Sequence, residues 1–229
     1  MEKLLGKLFW IYLTLQLAWL PAFSYEDELV LKGGVNAGRM EITGFNGSED
    51  NSGGVGFNTH FGYKWTKWEF ALSSYIYYGK VDQLAFQGNS SQINGNGSFR
   101  HVSFGPLLKY LTDYQPFKNY NFYFGGGPSW SLQTIKLEDF RVVSGEFKRQ
   151  HKLTYRSFGG LLVFGIEEQM AFKQQHPVYV EFIYSYMAAS KVSVVDAGDF
   201  SDTNILSESK PGQSIETWFW MISAGIALF

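Results

Sequence analysis

The chain has 229 residues, 19 basic and 21 acidic side chains, and a formal net charge of −2 at pH 7. This balance lacks the concentrated positive charge of a nucleic-acid-binding domain, so we expect no nucleic-acid partner. The absence of cysteine excludes disulfide bonds and thiolate metal sites. Aromatic residues make up 18% of the chain and glycine occurs 25 times, a combination that suits a membrane β-barrel better than a soluble domain.

Residues 1–24 have the pattern of a secretory signal peptide. Two lysines precede a short apolar run, and small residues occupy positions −3 and −1 before a cleavage site after Ser24. The alternative is a transmembrane anchor, but the apolar run is shorter than the roughly 20 residues that span a bilayer, and Gln16 interrupts it. We therefore predict that 25–229 forms one domain.

Alternation of apolar and polar residues predicts eight β-strands in the mature chain. Each run is about ten or more residues long, which is enough to cross a bilayer at a tilt. A single run of this kind is weak evidence, whereas a series of eight is much stronger. The predicted strands cover, approximately, 29–40, 54–64, 68–78, 100–111, 122–130, 157–167, 178–186 and 215–229.

The connecting segments alternate between long and short. Long polar segments are predicted at 41–53, 79–98, 133–154 and 189–214, and short ones at 65–67, 112–120 and 171–177. Outer-membrane barrels have this alternation, with the short turns and, for an even strand number, both termini in the periplasm. A soluble lipocalin-type barrel is the alternative, but it does not explain the alternation. The predicted fold class is all-β: an eight-stranded antiparallel up-and-down transmembrane β-barrel.

The C-terminal segment 223–229, which ends in Phe229, is similar to the terminal assembly signal of bacterial outer-membrane proteins. It departs from that signal in having Ala227 at the third-last position. Together with the strand pattern, 25–229 resembles the small eight-stranded OmpA and OmpX type and the outer-membrane β-barrel-domain group. We expect Phe229 to face lipid at the periplasmic rim, on the same face as Phe219 and Met221, with the last strand paired to the first.

The resemblance implies a location in the outer membrane of a Gram-negative cell. It also implies a monomer in contact with outer-membrane lipids and lipopolysaccharide. The barrel-assembly machinery is the expected partner of the strand that ends at Phe229.

The rows predicted to face the barrel interior carry charge. Buried charges need partners, so these side chains predict an ion-pair network that plugs the barrel. The alternative is a gated conduit for ions or protons. The charged residues are Lys32, Lys64 and Lys109 with Glu69, Glu167 and Glu181.

The outer half of the predicted interior is lined by small and aromatic side chains. They either fill the barrel or form a cup for a small amphipathic ligand. The inward residues there are Tyr75, Ser129, Ser131, Ser185, Met187, Trp218 and Trp220.

His101 and Ser103 lie two residues apart on one predicted strand face. The arrangement resembles the His-x-Ser motif of outer-membrane lipid A deacylases, although Phe104 replaces the asparagine that follows the serine there. Both side chains are predicted to point inward, away from lipid, so a buried, hydrogen-bonded histidine is favoured. We predict no catalytic, cofactor-binding or metal-binding residues.

The predicted function is that of a non-enzymatic integral outer-membrane β-barrel protein. Its role is either envelope integrity or surface interaction through four external loops. The first alternative is a narrow channel or carrier for small hydrophobic molecules, resembling the OmpW group. The second is a lipid-modifying enzyme that resembles the lipid A deacylases.

Overall fold

The computed structural model describes residues 27–43, 50–87, 92–142, 151–168, 177–189, 192–196, 199–204 and 215–228. The predicted signal peptide and Phe229 lie outside this part of the chain. The described residues include no helix that is long and apolar enough to cross a bilayer.

The described part of the chain forms ten β-strands, eight of which close into an antiparallel barrel. Each of the strands β1 to β6 pairs with the next one along the chain, and β10 pairs with both β7 and β1. The remaining two strands, β8 and β9, form a hairpin attached to β6. The eight-stranded fold predicted from the sequence is thus confirmed. The strands are β1 (Asp27–Thr43), β2 (Asp50–Trp65), β3 (Trp68–Gln87), β4 (Gln92–Leu111), β5 (Tyr120–Val142), β6 (His151–Glu168), β7 (Val178–Ala189), β8 (Val192–Asp196), β9 (Asp199–Asn204) and β10 (Ile215–Ala227).

The strands are staggered around the barrel. If one starts at Gly33 on β1 and steps from each residue to its paired residue on the next strand, one circuit of the barrel ends on β1 at Thr43. The starting and final residues are ten positions apart. Eight strands with this stagger tilt by about 40° from the barrel axis and leave an interior that side chains can fill. The tilt also places neighbouring paired residues at slightly different heights along the axis.

The two ends of the barrel differ. At one end, here called the turn end, residues 66–67 connect β2 to β3 and 112–119 connect β4 to β5. Thr66 and Asn119 adopt positive φ angles of 52° and 69° in these turns. At the other end, the hairpin end, strands extend well beyond the predicted boundaries.

The predicted loops 79–98 and 133–154 are therefore largely wrong. Strands β3 and β4 stay paired as far as Gln87 and Gln92, and β5 continues to Val142. Backbone hydrogen bonds hold such a ladder together whatever the side chains are. Polar, glycine-rich strands of this kind lack the apolar alternation by which a strand is recognised in sequence.

Inside and outside are separated by the alternation along each strand. On β2, Val55 and Phe57 are 64% and 60% exposed, whereas Asn58 and His60 are 2% and 0% exposed. The apolar residues thus form the outer wall and the polar residues lie in the interior. This is the arrangement expected of a barrel in lipid and the inverse of a lipocalin.

Aromatic side chains lie on the outer wall at two heights. Trp68 packs on Tyr110 near the turn end, and Trp130 packs on Phe158 closer to the hairpin end. On β3, the ten residue spacings from Trp68 to Tyr78 rise roughly 25 Å at a tilt of about 40°, which matches the apolar band of an outer-membrane barrel.

The predicted orientation of β10 is wrong. Phe219 and Met221 are buried in the interior, whereas Trp218 and Trp220 lie on the outer wall. There Trp218 packs on Tyr186, with ring centroids 4.3 Å apart. The four successive residues from Trp218 to Met221 are all apolar, so the alternation there carries no sign of which face meets lipid.

Candidate functional site: a buried ion cluster

The interior near the turn end contains a cluster of ion pairs centred on Lys32. The Nζ atom of Lys32 lies 2.6 Å from Oε2 of Glu69 and 2.5 Å from Oε2 of Glu167. The three residues come from β1, β3 and β6, and all three are buried. One ammonium group therefore connects two carboxylates across the barrel.

Lys109 on β4 continues the cluster towards β7. Its Nζ atom lies 3.3 Å from Oε2 of Glu181 and 3.8 Å from Oε1 of Glu69. The hydroxyl of Tyr123 donates to Oε2 of Glu181 at 2.9 Å. The ammonium group of Lys109 also lies 4.9 Å from the centre of the Tyr123 ring, in the range of a cation–π contact.

The structure thus brings together five of the six charged residues predicted from the sequence. The sixth, Lys64, is half-buried at the rim of the turn end. It lines a polar opening of about 190 Å³ together with Asn121, Glu167 and Glu168. Glu167 is therefore where the ion cluster meets the opening.

His60 joins the cluster on β2 without having been predicted to do so. Its Nδ1 atom lies 2.7 Å from Oγ of Ser73, and its Nε2 atom lies 3.1 Å from Oε1 of Glu181 and 2.9 Å from Nδ2 of Asn58. The sequence places His60 in the inward row. Its partner Glu181 is 121 residues away, however, and no local pattern indicates that pairing.

Ser73, His60 and Glu181 contact one another in the order found in hydrolytic triads. All three side chains are almost completely buried within the closed wall. A nucleophile needs access to its substrate, and Ser73 has none in this arrangement. The contacts therefore serve to join β2, β3 and β7.

A second set of hydrogen bonds connects β10, the last strand of the barrel, to the ion cluster. The Asn58 amide donates to the hydroxyl of Tyr179 at 2.9 Å, and its Oδ1 atom accepts from Oγ of Ser223 at 2.9 Å. Ser223 lies on β10, which closes the barrel against β1. The pairing of β10 with β1, which closes the barrel, therefore also brings Ser223 to Asn58 and completes these hydrogen bonds.

His101 and Ser103 lie in the outer half of the interior, both buried as predicted. The His101 ring packs on Phe219, with centroids 4.3 Å apart, and stacks on Phe99. Its Nδ1 atom has no hydrogen-bond partner among the described residues, so the expectation of a hydrogen-bonded histidine fails at that atom. The arrangement offers no access from lipid to Ser103.

Gln133 organises the polar side chains near the hairpin end. Its Nε2 atom donates to Oγ of Ser131 and of Ser157, both at 3.3 Å, and its Oε1 atom accepts from Oγ1 of Thr217 at 3.1 Å. No local pattern in the sequence indicates these contacts of Gln133. Five of the seven residues predicted to line the outer half of the interior are buried there: Tyr75, Ser129, Ser131, Ser185 and Met187. The other two, Trp218 and Trp220, lie on the outer wall.

The two buried histidines are expected to respond differently to replacement by phenylalanine. His101→Phe keeps an aromatic ring against Phe219 and removes an unpaired polar atom, so the free energy of unfolding should change by less than about 1 kcal/mol. His60→Phe removes the hydrogen bonds that His60 makes with Oγ of Ser73 and Oε1 of Glu181, which costs about 2 kcal/mol or more. Denaturant unfolding in detergent micelles measures both. An equal loss of unfolding free energy in the two variants would show that the hydrogen bonds of His60 contribute no more to stability than the ring packing of His101.

The closed wall, the apolar outer surface with its aromatic rings, and the polar interior define a small outer-membrane β-barrel protein. No protein-family model matches the chain. No curated protein sequence matches it either.

Solved structures of similar fold include three small bacterial membrane proteins. Neisserial surface protein A is 15% identical, with 86% of this chain and 96% of that chain covered and a TM-score of 0.44. OprG from Pseudomonas aeruginosa is 14% identical, with coverages of 89% and 96% and a TM-score of 0.45. Ail of Yersinia pestis, solved with the heparin analogue sucrose octasulfate, is 14% identical, with coverages of 89% and 99% and a TM-score of 0.44. These similarities are too distant to transfer a function.

Proposed function

We propose that this protein is a non-enzymatic barrel of the Gram-negative outer membrane that binds a protein partner at the cell surface. The turn end faces the periplasm and the hairpin end faces outward. The lipid-facing wall contacts outer-membrane lipids and lipopolysaccharide. Recognition of the last strand by the barrel-assembly machinery remains a prediction.

The observation that carries the proposal is the length of the strands at the hairpin end. Trp130 marks the upper aromatic ring on β5, and this strand continues for twelve residues to Val142. At a tilt of about 40°, twelve residues rise roughly 30 Å above the membrane. Strand β7, by contrast, ends at Ala189, three residues beyond Tyr186. One side of the barrel therefore projects as a sheet and the other does not.

The projecting sheet has two edges within the described part of the chain. Residues 80–87 of β3 pair only with β4, because the pairing between β2 and β3 stops at Gly79. At the other side, β9 pairs only with β8. Exposed edge strands present backbone donors and acceptors that pair readily with an extended segment of another protein. This geometry supports a protein partner bound by strand addition.

The interior supports a surface role more than transport. Charged and aromatic side chains fill the turn-end half, and apolar side chains together with the hydrogen-bonded set around Gln133 fill the hairpin-end half. A binding surface on the projecting sheet requires no path through the barrel. The function therefore lies in the extended strands, and the ion cluster stabilises the scaffold that holds them.

Deletion of the β8–β9 hairpin tests this proposal. A variant in which a short Gly-Ser linker replaces 192–204 should assemble normally, because this hairpin lies outside the barrel wall. We expect cells that display it to bind labelled extended peptides of a β-strand-forming panel at least tenfold less than cells with the full chain. The readouts are flow cytometry and adhesion, with heat-modifiable gel migration as the folding control.

The alternative role in envelope integrity makes the opposite prediction. A strain that lacks the protein would then become sensitive to detergents, and the variant without 192–204 would restore resistance completely. Unchanged peptide binding by the variant, together with that restored resistance, would contradict the surface-binding proposal.

A further inference from the structure

A groove of about 300 Å³ lies in the outer wall of the barrel, on the side formed by β5, β6, β7 and β10. Between its side chains the groove meets the backbone at Gly165 and Glu181. The Glu181 side chain points into the ion cluster, and a Cβ atom on Gly165 would point inward to Tyr123. The outward side chains that line the groove are all apolar: Phe122, Phe164, Ile166, Val180, Phe182 and Ile222.

The groove is a depression because Val180 is flanked by larger side chains. Phe182 is the next outward residue on the same strand, and Ile166 is paired with Val180 on β6. Phe122 is paired with Ile166 in turn, on β5. Val180 and Phe182 are 41% and 43% exposed, so the groove is open to the surroundings of the barrel. A larger side chain at position 180 would fill it.

The groove lies in the apolar band of the wall and runs nearly along the barrel axis. Phe122 and Ile222, at its two ends, are separated by three steps between paired strands and two residues along β10. At a tilt of about 40°, this separation rises roughly 14 Å, more than half of an apolar band about 25 Å tall. The groove therefore has the depth and the direction of a hydrocarbon chain in the bilayer.

A carboxylate lies at the end of the groove that is nearer the turn end. Glu168 is the next outward residue after Ile166 on β6 and is paired with Tyr120, just beyond Phe122. Its side chain is half-buried and makes no hydrogen bond or ion pair with any residue that the structure describes. It also borders the polar opening of the turn end. An ammonium group that donates to this carboxylate would form a charge-assisted hydrogen bond.

We propose that the groove is a binding site for an aminophospholipid of the leaflet next to the turn end. An acyl chain lies along Val180, and the ammonium group of the headgroup contacts Glu168. The apolar groove accounts for the hydrocarbon chain, and the unpaired carboxylate selects a primary ammonium group over an anionic headgroup. The site lies on the opposite half of the wall height from the projecting sheet, so it does not depend on the surface-binding proposal.

Native mass spectrometry of the full chain tests the selection of the headgroup. The protein is released from micelles that contain equal amounts of phosphatidylethanolamine and phosphatidylglycerol with identical acyl chains. It should retain phosphatidylethanolamine more often than phosphatidylglycerol, by about threefold or more. Equal retention of the two lipids, or a preference for phosphatidylglycerol, would overturn the proposal.

Two substitutions separate the contributions of the headgroup and the chain. Glu168→Gln should abolish the preference, so that both lipids are retained equally. Val180→Phe should lower the retention of both lipids by about threefold or more, because the ring fills the groove. Val55→Phe is the matched control, since Val55 is 64% exposed on the outer wall and does not line the groove. An unchanged preference in Glu168→Gln, or equal retention by the two phenylalanine variants, would overturn the proposal.

NMR of the unmodified protein in lipid nanodiscs tests the position of the bound lipid without any variant. One phosphatidylethanolamine molecule per protein carries a nitroxide on its acyl chain. The amide signals of 164–166 and 180–182 should lose more intensity than those of 55–57 on the opposite side of the barrel, by about twofold or more. Equal losses at these positions would show that the lipid is not held in the groove and would overturn the site.

Discussion

Replacing Lys32 with methionine should lower the free energy of unfolding by about 3–5 kcal/mol. The substitution leaves Glu69 and Glu167 in the barrel interior without the ammonium group that lies within 2.6 Å of both. Removing one partner of a buried ion pair is costly because the remaining charge stays desolvated. The measurement is urea-induced unfolding in detergent micelles, followed by tryptophan fluorescence.

The matched control is Lys67→Met in the β2–β3 turn. Lys67 also forms a short ion pair, 2.5 Å from Asp113, but the two side chains are 47% and 82% exposed. The hydrogen bond to the Asp113 carboxylate raises the pKa of Lys67. Solvent screens such exposed pairs, so this variant should unfold like the unmodified protein. A similar loss in both lysine variants, or none in Lys32→Met, would show that burial does not determine the contribution.

Gly56→Ala should prevent assembly or lower stability by about 3 kcal/mol or more. A Cβ atom at Gly56 would lie 1.8 Å from the carbonyl oxygen of Ile76 on the neighbouring strand and 2.7 Å from Oδ1 of Asn36. The backbone of a paired strand cannot withdraw without breaking its own hydrogen bonds, so the overlap is not relieved locally. Heat-modifiable migration on gels reports the assembled fraction, and denaturant unfolding reports the stability of what assembles.

Gly33→Ala provides the comparison on β1. A Cβ atom at Gly33 meets nothing within 4 Å, so the same chemical change should leave assembly and stability unchanged. Normal assembly of Gly56→Ala would mean that the close approach of β2 and β3 is not required. Failure of Gly33→Ala would instead mean that alanine is poorly tolerated at glycine positions generally.

The predictable parts of this fold are those that local alternation encodes. Phe57 and Asn58 lie on opposite faces because successive side chains of a strand point in opposite directions. The inward position of Lys32, Glu69 and Glu181 follows from the same rule, and an ion-pair network follows from the need to pair buried charge. Neither the alternation of side chains nor the need to pair buried charge depends on which strands are neighbours.

Structure and prediction differ where the alternation of side chains carries no information about the fold. Trp218 and Phe219 are both apolar, so only contact with Tyr184 and Tyr186 on the outer wall decides which of them faces outward. The polar composition of 92–98 predicts a loop, although the backbone of this segment pairs with β3 and β5. Strand pairing there comes from hydrogen bonds between neighbours, which single-strand patterns do not reveal.

The class of fold, the number of barrel strands and the inward position of the charged residues can all be read from the sequence, because each depends on periodicity along one strand. Neither the contact between His60 and Glu181 nor the open sheet of projecting strands can be read from the sequence; only the folded barrel shows them. Those features depend on the register between strands and on the stagger of the closed barrel. Both are properties of pairing across the sheet and are absent from any one strand.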